Sequence, residues 1–260
     1  METSWNKVAN WYDSHLKGSK NSYHNTLIIP NLIRLLKSNF HSSAATVLDL
    51  ACGQGYVTNE INKSGYKVTG IDLSSELISI AKERYKDIDF IIDDASKLTA
   101  STLDRVGRFD AITIVLAVQN IKDLDGLFKG CSRLLKKGGQ LFVVMNHPAF
   151  RIPKASSWGF DKNDTAQYRR IDRYMSNLEI PIEAKPGERA KTGRGSITWS
   201  FHRSLSEYFK KLKKNGFVVM DLEEWVSNKT SEPGKRAKVE DLARKEIPMF
   251  MAFVASKTQN

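Results

Sequence analysis

The chain is poor in cysteine and proline and has no long apolar run. Its 260 residues include two cysteines and seven prolines. Two cysteines are too few for a disulfide framework, so Cys52 and Cys131 are expected to be reduced thiols of a cytoplasmic protein. No stretch approaches the roughly 20 apolar residues of a membrane-spanning helix. The first residues lack the basic and apolar regions of a signal peptide. These shortages argue against an integral membrane protein and against a disulfide-rich secreted domain.

Acidic residues are in the minority. The chain has 40 Lys and Arg against 29 Asp and Glu, a formal net charge of +11. Such an excess raises nucleic acid as a partner. The positive charge is spread along the chain, however, so a solvated lysine-rich surface is the simpler interpretation. The histidines lack ligand spacing to one another or to the cysteines, so no metal site is expected.

Two apolar runs with particular endings are the most informative features that are present. Residues 47–55 read Val-Leu-Asp-Leu-Ala-Cys-Gly-Gln-Gly, and residues 68–73 read Val-Thr-Gly-Ile-Asp-Leu. A buried strand, a glycine turn and an acid ending the next strand are typical of a nucleoside-binding half-site. Thr58 stands where a dinucleotide motif has its third glycine, and Asp49 would repel a pyrophosphate. The pattern therefore favours a nucleoside without phosphates.

This pattern resembles the first motif of the class I S-adenosylmethionine-dependent methyltransferases. The stretch from His202 to Phe217 (His-Arg-Ser-Leu-Ser-Glu-Tyr…Asn-Gly-Phe) resembles a small-molecule branch loosely similar to quinone- and biotin-pathway methyltransferases. The resemblance covers residues 45–146 and 202–256. It implies in-line transfer of a methyl group from S-adenosyl-L-methionine to a small-molecule acceptor, with S-adenosyl-L-homocysteine as product.

Alternating strand and helix patterns between 46 and 146 predict an α/β protein with a doubly wound parallel sheet. The ligand site of such a sheet lies at the carboxyl ends of its strands. The resemblance implies a Rossmann-like, seven-stranded sheet of order 3-2-1-4-5-7-6 with an antiparallel last strand. The predicted strands are 46–51, 67–71, 88–92, 109–115, 140–146, 217–222 and 249–255, and the predicted helices lie near 55–64, 75–86, 123–136 and from 204.

Four segments follow from these patterns. Residues 1–41 are expected to form an N-terminal helical cover, and 42–146 the cofactor-binding Rossmann-like core. The regular pattern stops from 147 to about 196, and a loop of that length is usually a functional lid or disordered. Regular structure is expected to return with Ile197-Thr-Trp-Ser-Phe-His202. Residues 147–201 are interpreted as an inserted lid or substrate segment. Residues 202–260 complete the core sheet.

The resemblance also implies which residues bind the cofactor. Asp49 lies near its ammonium group or braces the loop, Asp72 accepts both ribose hydroxyls, and Asp94 accepts the adenine amino group. The N-terminal Tyr12 and Tyr23 are expected near the methionine part, with core packing as the alternative. The complete predicted cofactor set, apart from Tyr12, is Asp49, Ala51, Cys52, Gly53, Gly55, Asp72, Leu73, Asp94, Ala95, Val115 and Tyr23.

Polar and aromatic residues near strand ends supply the predicted acceptor site. His147 and His202 are the candidates for acid–base catalysis or substrate orientation, although a lone histidine is more often structural. Arg151, Arg169 and Arg170 could pair with an acidic substrate. Aromatic residues of the lid could form a wall over an apolar acceptor or simply pack within the lid. The predicted substrate residues are Gln119, Asn120, Asn146, Phe150, Trp158 and Arg203.

Two other functions are compatible with the cofactor motifs. The charge would suit a nucleic-acid methyltransferase, but the fourth strand exits as Val-Leu-Ala-Val-Gln-Asn. It lacks the Asn/Asp-Pro-Pro-Tyr/Phe motif that grips an exocyclic amino group, and no Pro-Cys nucleophile is present. A cofactor-binding regulatory protein without turnover is the other alternative. A monomer and a homodimer both remain open.

Overall fold

The computed structural model describes residues 4–17, 21–40, 44–163, 165–184 and 196–258. The α-helices within these ranges are α1 (Ala9–Lys17), α2 (Ile29–Asn39), α3 (Tyr56–Lys63), α4 (Ser75–Arg84), α5 (Ala100–Val106), α6 (Leu124–Leu134), α7 (Leu205–Lys214) and α8 (Ala237–Glu246). The strands are β1 (Thr46–Leu50), β2 (Lys67–Asp72), β3 (Asp89–Ile92), β4 (Phe109–Val115), β5 (Leu135–Asn146), β6 (Ser156–Asp161), β7 (Ala166–Ile171), β8 (Leu178–Glu183), β9 (Ile197–His202), β10 (Phe217–Trp225) and β11 (Phe250–Lys257).

Seven strands form the central sheet, in the order β10-β11-β5-β4-β1-β2-β3. Strands β1 to β5 are parallel to one another, whereas β11 is antiparallel to both β5 and β10. The predicted α/β class and strand order are confirmed. Because the strand order reverses beside β1, the connections that follow β1 and β4 lead to helices on opposite faces of the sheet. A crevice therefore opens between the carboxyl ends of these two strands.

Hydrophobic side chains cover the sheet on both faces. Along β1, Leu48 and Leu50 point into a cluster with Phe128 of α6 and Tyr208 of α7. Val47 points into the opposite cluster, which contains residues of α2, α3 and α4. This alternation follows the two-residue period of a strand. A strand buried on both faces needs a nearly continuous apolar sequence, which explains the pattern of β1.

The segment interpreted as a lid contains three strands that the sequence pattern did not reveal, β6 to β8, besides β9 at the place where regular structure was expected to return. Strands β6 and β7 form one antiparallel hairpin, and β8 and β9 form another. A small cluster of Ile152, Ala155 and Ile180 lies beneath them. Each hairpin has two strands and a partly exposed surface, so neither carries a continuous apolar run. Charged residues between isolated aromatics therefore concealed these strands.

Two helices were also missed. Thr102 is the buried residue of α5, and Ala243 is that of α8. A helix that buries so little apolar surface has only a weak periodic signature in its sequence. Among the described helices, none is both long enough and apolar enough to cross a lipid bilayer.

Gly70 permits close packing between β3 and the turn that follows β1. It lies on β2 opposite Asp49 of β1. A Cβ atom at Gly70 would lie 2.5 Å from Cδ1 of Phe90 and 2.9 Å from Sγ of Cys52. A Cβ atom at Gly55 would lie 2.7 Å from Cζ of the same phenylalanine. The Phe90 ring thus fills the space that two glycines leave open and supports the turn that follows β1.

We predict that Gly70→Ala lowers the free energy of unfolding by about 1–3 kcal/mol, because the methyl group overpacks a filled core. Gly234→Ala is the matched control, since the nearest atom to its Cβ would lie 3.9 Å away. Urea denaturation of both variants measures the change. Equal midpoints for the two variants would contradict the packing role assigned to Gly70.

Candidate functional site

A deep cavity opens at the carboxyl ends of β1, β2, β3 and β4. It encloses about 1020 Å³ including its open mouth. Ten of the residues predicted from sequence line it, which brings together side chains from four strands. They are Asp49, Ala51, Cys52, Gly53, Asp72, Leu73, Asp94, Ala95, Val115 and Asn120.

The turn after β1 requires an unusual backbone. Ala51, Gly53 and Gly55 have φ angles of 60°, 58° and 78°. Glycine adopts such left-handed angles without steric cost. No atom lies within 4 Å of the position that a Cβ of Gly53 would occupy. The turn therefore presents bare backbone to the cavity.

Asp72 holds this turn against β2. One carboxylate oxygen accepts a hydrogen bond of 2.8 Å from the Gly53 N–H, and the other accepts one of 2.8 Å from the Ser74 N–H. Burial raises the pKa of Asp72, although hydrogen bonds from the backbone of Ser74, Gly53 and Leu73 oppose the rise. Each carboxylate oxygen can accept a second hydrogen bond. Asp72 can therefore brace the turn and still accept from a ligand.

Asp49 lies beneath the turn and is almost completely buried. Its two oxygens accept hydrogen bonds from the hydroxyls of Thr58, at 2.6 Å, and Thr113, at 2.9 Å. Burial raises the pKa of Asp49 to about 6, against the opposing effect of these two bonds. The carboxylate connects β1 to α3 and β4, which is the loop-bracing arrangement. Because Asp49 also lines the cavity, its charge acts on any ligand there.

A second pair of acids follows β3. Asp94 accepts hydrogen bonds of 2.9 and 2.7 Å from the N–H and hydroxyl of Ser96. Burial acts to raise the pKa of Asp94, but the bonds from Ser96 and Lys97 together lower it. Asp93 instead accepts from Thr102 and Arg105 and so anchors α5. The two neighbouring acids have different tasks, and Asp94 faces the cavity.

The charges around the cavity have one sign. Asp49, Asp72 and Asp94 line it, and the described lining includes no lysine and no arginine. A phosphate group would meet carboxylates without a cationic partner, whereas a positively charged group would be attracted. The cavity therefore suits a nucleoside that carries positive charge.

The N-terminal segment covers part of the cavity. Trp5 and His24 line its wall. The segment is attached to the core by hydrogen bonds from Arg84 to Asp13, at 2.8 and 3.0 Å, and from the Tyr56 hydroxyl to Asn25, at 2.7 Å. Arg84 and Tyr56 belong to α4 and α3, so the cover is held by the helices beside the site.

Several lining residues were not in the predicted set. Tyr56 and Val57 begin α3 directly after the glycine turn, and their closeness to that motif was the available signal. In the wall formed by the exit of β4, only Val115 and Asn120 were among the predicted residues. The additional lining residues are Trp5, His24, Gln54, Tyr56, Val57, Leu77, Leu116, Ala117 and Ile121.

Two predicted cofactor residues lie elsewhere. Gly55 packs under the Phe90 ring and does not line the cavity. Tyr23 lines a second cavity, and its hydroxyl lies 2.7 Å from Oγ of Ser227. Its ring packs edge-on against Phe250. The side chain of Tyr12 lies outside the part of the chain that the structure describes.

His147 does not line this cavity, and both of its ring nitrogens have hydrogen-bond partners elsewhere. Its Nε2 lies 2.6 Å from a carboxylate oxygen of Glu224, and its Nδ1 accepts from the N–H groups of Ala149 and Phe150. Burial lowers the pKa of His147 despite the opposing effect of Glu224. With both ring nitrogens engaged, the imidazole stabilises the turn after β5. This geometry does not support the predicted catalytic role.

His202 and Arg203 also have structural partners. The His202 ring lies 2.9 Å from the carbonyl oxygen of Tyr174. Arg203 donates to the carbonyl oxygens of Ile121 and Lys122 in the loop that follows β4. Arg203 therefore positions a loop that borders the cavity, rather than lining the cavity itself. Burial is the main cause that lowers the pKa of His202.

The other predicted substrate residues divide between two smaller cavities on the same edge of the sheet. Phe150 and Trp158 line the second cavity with Tyr23. Gln119 and Asn146 line a third, which His202 and Arg203 also border. Of the predicted acceptor residues, only Asn120 lines the first cavity, and the others lie beside it. Among the described residues, no group of three or more His, Cys, Asp or Glu side chains could hold a metal ion.

Comparison with known proteins gives a consistent result. Residues 48–143 match the family model of a methyltransferase domain. A ubiquinone biosynthesis O-methyltransferase from Xanthomonas oryzae is 32% identical over 119 residues, which cover 44% of this chain and 48% of that protein. The chain therefore spans about half the length of the curated relatives it matches.

Two solved structures share the fold. An S-adenosylmethionine-dependent methyltransferase from Mesorhizobium loti superposes with a TM-score of 0.63 at 23% identity, covering 86% of this chain and 96% of that one. The glycopeptide N-methyltransferase MtfA in complex with S-adenosylmethionine gives a TM-score of 0.56 at 15% identity, covering 87% and 92%.

We predict that Asp72→Ala weakens binding of S-adenosylhomocysteine by about 1.5–3 kcal/mol, the cost of losing hydrogen bonds to a charged group. Isothermal titration calorimetry measures the affinity. Asp125→Ala is the control, because Asp125 pairs with Lys211 and does not line the cavity. Unchanged affinity in Asp72→Ala would refute its assignment to the ribose.

We predict that affinity for S-adenosylmethionine rises roughly three- to tenfold as the pH increases through about 6, since ionised Asp49 attracts the cation. Asp49→Asn should show a flatter profile. The free energy of unfolding of the wild type should also fall as the pH rises from 3.8 to about 6. The reason is that the folded protein binds the proton of the Asp49 carboxyl more tightly than the unfolded chain does. Asp125→Asn is the control, since Asp125 has a pKa of about 2 and pairs with Lys211. Identical profiles in all three proteins would contradict the role of Asp49.

Proposed function

We propose that this chain, which carries a methyltransferase domain over residues 48–143, transfers a methyl group from S-adenosyl-L-methionine to a small-molecule acceptor. The observation that carries the proposal is the lining of the main cavity. Three carboxylates and a bare glycine turn face it, and no lysine or arginine appears in its described lining. This arrangement fits a cationic nucleoside and would repel a phosphate-bearing coenzyme.

The cavity residues fit this cofactor at three places. The free lone pairs of Asp72 would accept the ribose hydroxyls, and Leu73 would pack against the adenine. Asp94 and the backbone of Ala95 would hold the adenine edge. Asp49 and the backbone of Gly53 would face the ammonium end. When bound, the cofactor supplies a methyl group activated by a positively charged sulfur.

The protein's contribution to the reaction is alignment and exclusion of water. Leu116, Ala117 and Ile121 form an apolar wall where β4 ends, beside the expected place of the methyl group. Such a wall removes water and restricts the approach of the acceptor to the in-line direction. A general base is needed only when the acceptor must lose a proton. His147 and His202 do not line this cavity, so we assign them structural roles.

A small-molecule acceptor is supported by the relatives, whose names include ubiquinone biosynthesis O-methyltransferase. A cytoplasmic location is part of the same proposal. Cys52 and Cys131 are both free and buried, as is usual for thiols in a reducing compartment.

Incubation with S-adenosylmethionine and fractionated metabolite extracts should release S-adenosylhomocysteine, measured by mass spectrometry. Asp72→Ala should release less at limiting cofactor, which ties turnover to the cavity. A thermal shift with NAD and none with S-adenosylmethionine or S-adenosylhomocysteine would overturn the proposal. Tight cofactor binding without turnover in any fraction would instead support the regulatory alternative.

The nucleic-acid alternative has a separate test. Binding of RNA oligonucleotides should be weak and without sequence preference if the excess positive charge is only a solvated surface. A steep loss of a strong RNA affinity with increasing salt would indicate release of counterions from many phosphate contacts. That result, together with methylated RNA as product, would replace the small-molecule acceptor.

A further inference from the structure

The second cavity lies on the same edge of the sheet as the cofactor cavity. It forms where β5 ends and β11 begins, beneath the hairpin of β6 and β7. Its volume is about 570 Å³ including the mouth, which is enough for a small organic molecule. Its described lining consists of Tyr23, Phe150, Arg151, Trp158, Arg169, Ser227, Arg244, Ile247, Pro248 and Met249.

Arg151 is the central charge of this cavity. Its guanidinium lies 4.9 Å from the centre of the Phe250 ring. None of the described ion pairs includes Arg151. Burial, followed by the nearby charge of Arg169, lowers the pKa of Arg151. Keeping a cation partly buried beside a second cation costs free energy that an anionic ligand would offset.

Arg169 is fixed in place on the opposite wall. Its Nε donates to the Phe150 carbonyl oxygen at 2.8 Å, and its Nη2 donates to Oγ of Ser156 at 2.8 Å. Its guanidinium lies 5.1 Å from the centre of the Trp158 ring. These contacts involve no carboxylate. Among the described residues, no ion pair includes Arg169, and its two hydrogen bonds preset its orientation.

Arg244 adds a third guanidinium from α8. Its described carboxylate contact is to Glu240 on the same helix, at 3.9 Å. Neither aspartate nor glutamate is among the described lining residues. Three arginines without an acid on the cavity wall make a positive field, and guanidinium groups suit the planar, two-oxygen geometry of carboxylates and phosphates.

The remaining wall is apolar and aromatic. Tyr23, Phe150 and Trp158 contribute rings, while Ile247 and Met249 contribute aliphatic surface. The Tyr23 ring is held by the bond of its hydroxyl to Ser227. Rings around a cationic group favour a ligand that has an anionic group attached to a flat apolar body.

Arg151 also connects this cavity to the cofactor side of the sheet. It lines the third cavity as well, together with Gln119 and Asn146. Gln119 follows the apolar wall at the exit of β4, and its buried Oε1 has no hydrogen-bond partner among the described residues. A ligand that reaches from Arg151 towards this wall would find an acceptor for a hydroxyl or amino group.

We propose that the second cavity binds the anionic group, a carboxylate or a phosphate, of a methyl acceptor. The rest of this acceptor is an aromatic or otherwise flat apolar body. This inference rests on the proposed methyltransferase function. It narrows the acceptor from any small molecule to an organic anion. It also assigns Arg151 and Arg169 as the residues that recognise the acceptor.

The test is calorimetric titration with phenylacetate, phenyl phosphate and the neutral phenylacetamide, each with and without S-adenosylhomocysteine. At least one of the two anions should bind in the millimolar range or tighter, and the amide at least about tenfold more weakly. Arg151→Gln should lower the affinity for the anion at least about tenfold, which is the effect of losing a charge-assisted hydrogen bond. Preference for phenylacetate or for phenyl phosphate identifies the anionic group.

Arg170→Gln is the matched control. Arg170 lies next to Arg169 on β7, but its side chain is 67% exposed and pairs with Asp172. The Arg170→Gln variant should bind the anion with an affinity within about twofold of the wild type at moderate salt, where exposed charges are screened. If Arg151→Gln fails to fold, as judged by circular dichroism, Arg169→Gln takes its place with the same expectation.

Two results would overturn this inference. One is a wild-type protein that binds S-adenosylhomocysteine but neither anion. The other is equal anion affinity in Arg151→Gln, Arg170→Gln and the wild type. Both leave the methyltransferase proposal intact, because cofactor binding is measured in the same samples. Loss of S-adenosylhomocysteine binding in the wild type would instead remove the proposed function.

Discussion

The hydrogen bonds of Asp72 to the backbone of Gly53 and Ser74 are the contacts on which the site depends. They join the end of β2 to the turn after β1, at 2.8 Å each. Without them the left-handed turn would lose its side-chain contact to β2, and the backbone that lines the cavity would no longer be fixed. Asp49 adds a second tie through Thr58 and Thr113. Asp49 and Asp72 thus fix a turn whose bare backbone faces the cavity, and in the proposed function their negative charges favour a cationic ligand.

The edge of the sheet carries two electrostatic environments. The half formed by β1 to β4 is lined by acids, and the half formed by β5, β11 and β10 is lined by arginines. In the proposed reaction, the first holds a cationic cofactor and the second an anionic acceptor. The apolar exit of β4 lies between the two halves in the order of the strands. Opposite charges at the two sites would favour binding of each molecule at its own cavity.

Local sequence was sufficient for the strands and turns of the core. The run from Val47 to Gly55 predicts a buried strand and a glycine turn, because a strand covered on both faces has a nearly continuous apolar sequence. The same logic did not identify β6 to β8. Those strands are partly exposed and bury only a small cluster around Ile152 and Ile180. Strands β6 and β7 contain few apolar residues, and Pro181 interrupts the alternation of β8. Helices α5 and α8 bury too little surface to show a period.

The sequence by itself determined the acids that face the main cavity, because they stand in short motifs at strand ends, and the strand order was implied by its resemblance to a methyltransferase family. Only the tertiary structure decided what the distant side chains do. His147 looked reactive in sequence, yet its ring is occupied by Glu224 and two backbone N–H groups. Arg151, Arg169 and Arg244 come from three separate elements. Their convergence depends on long-range packing between the sheet, a hairpin and a helix, for which no local pattern exists.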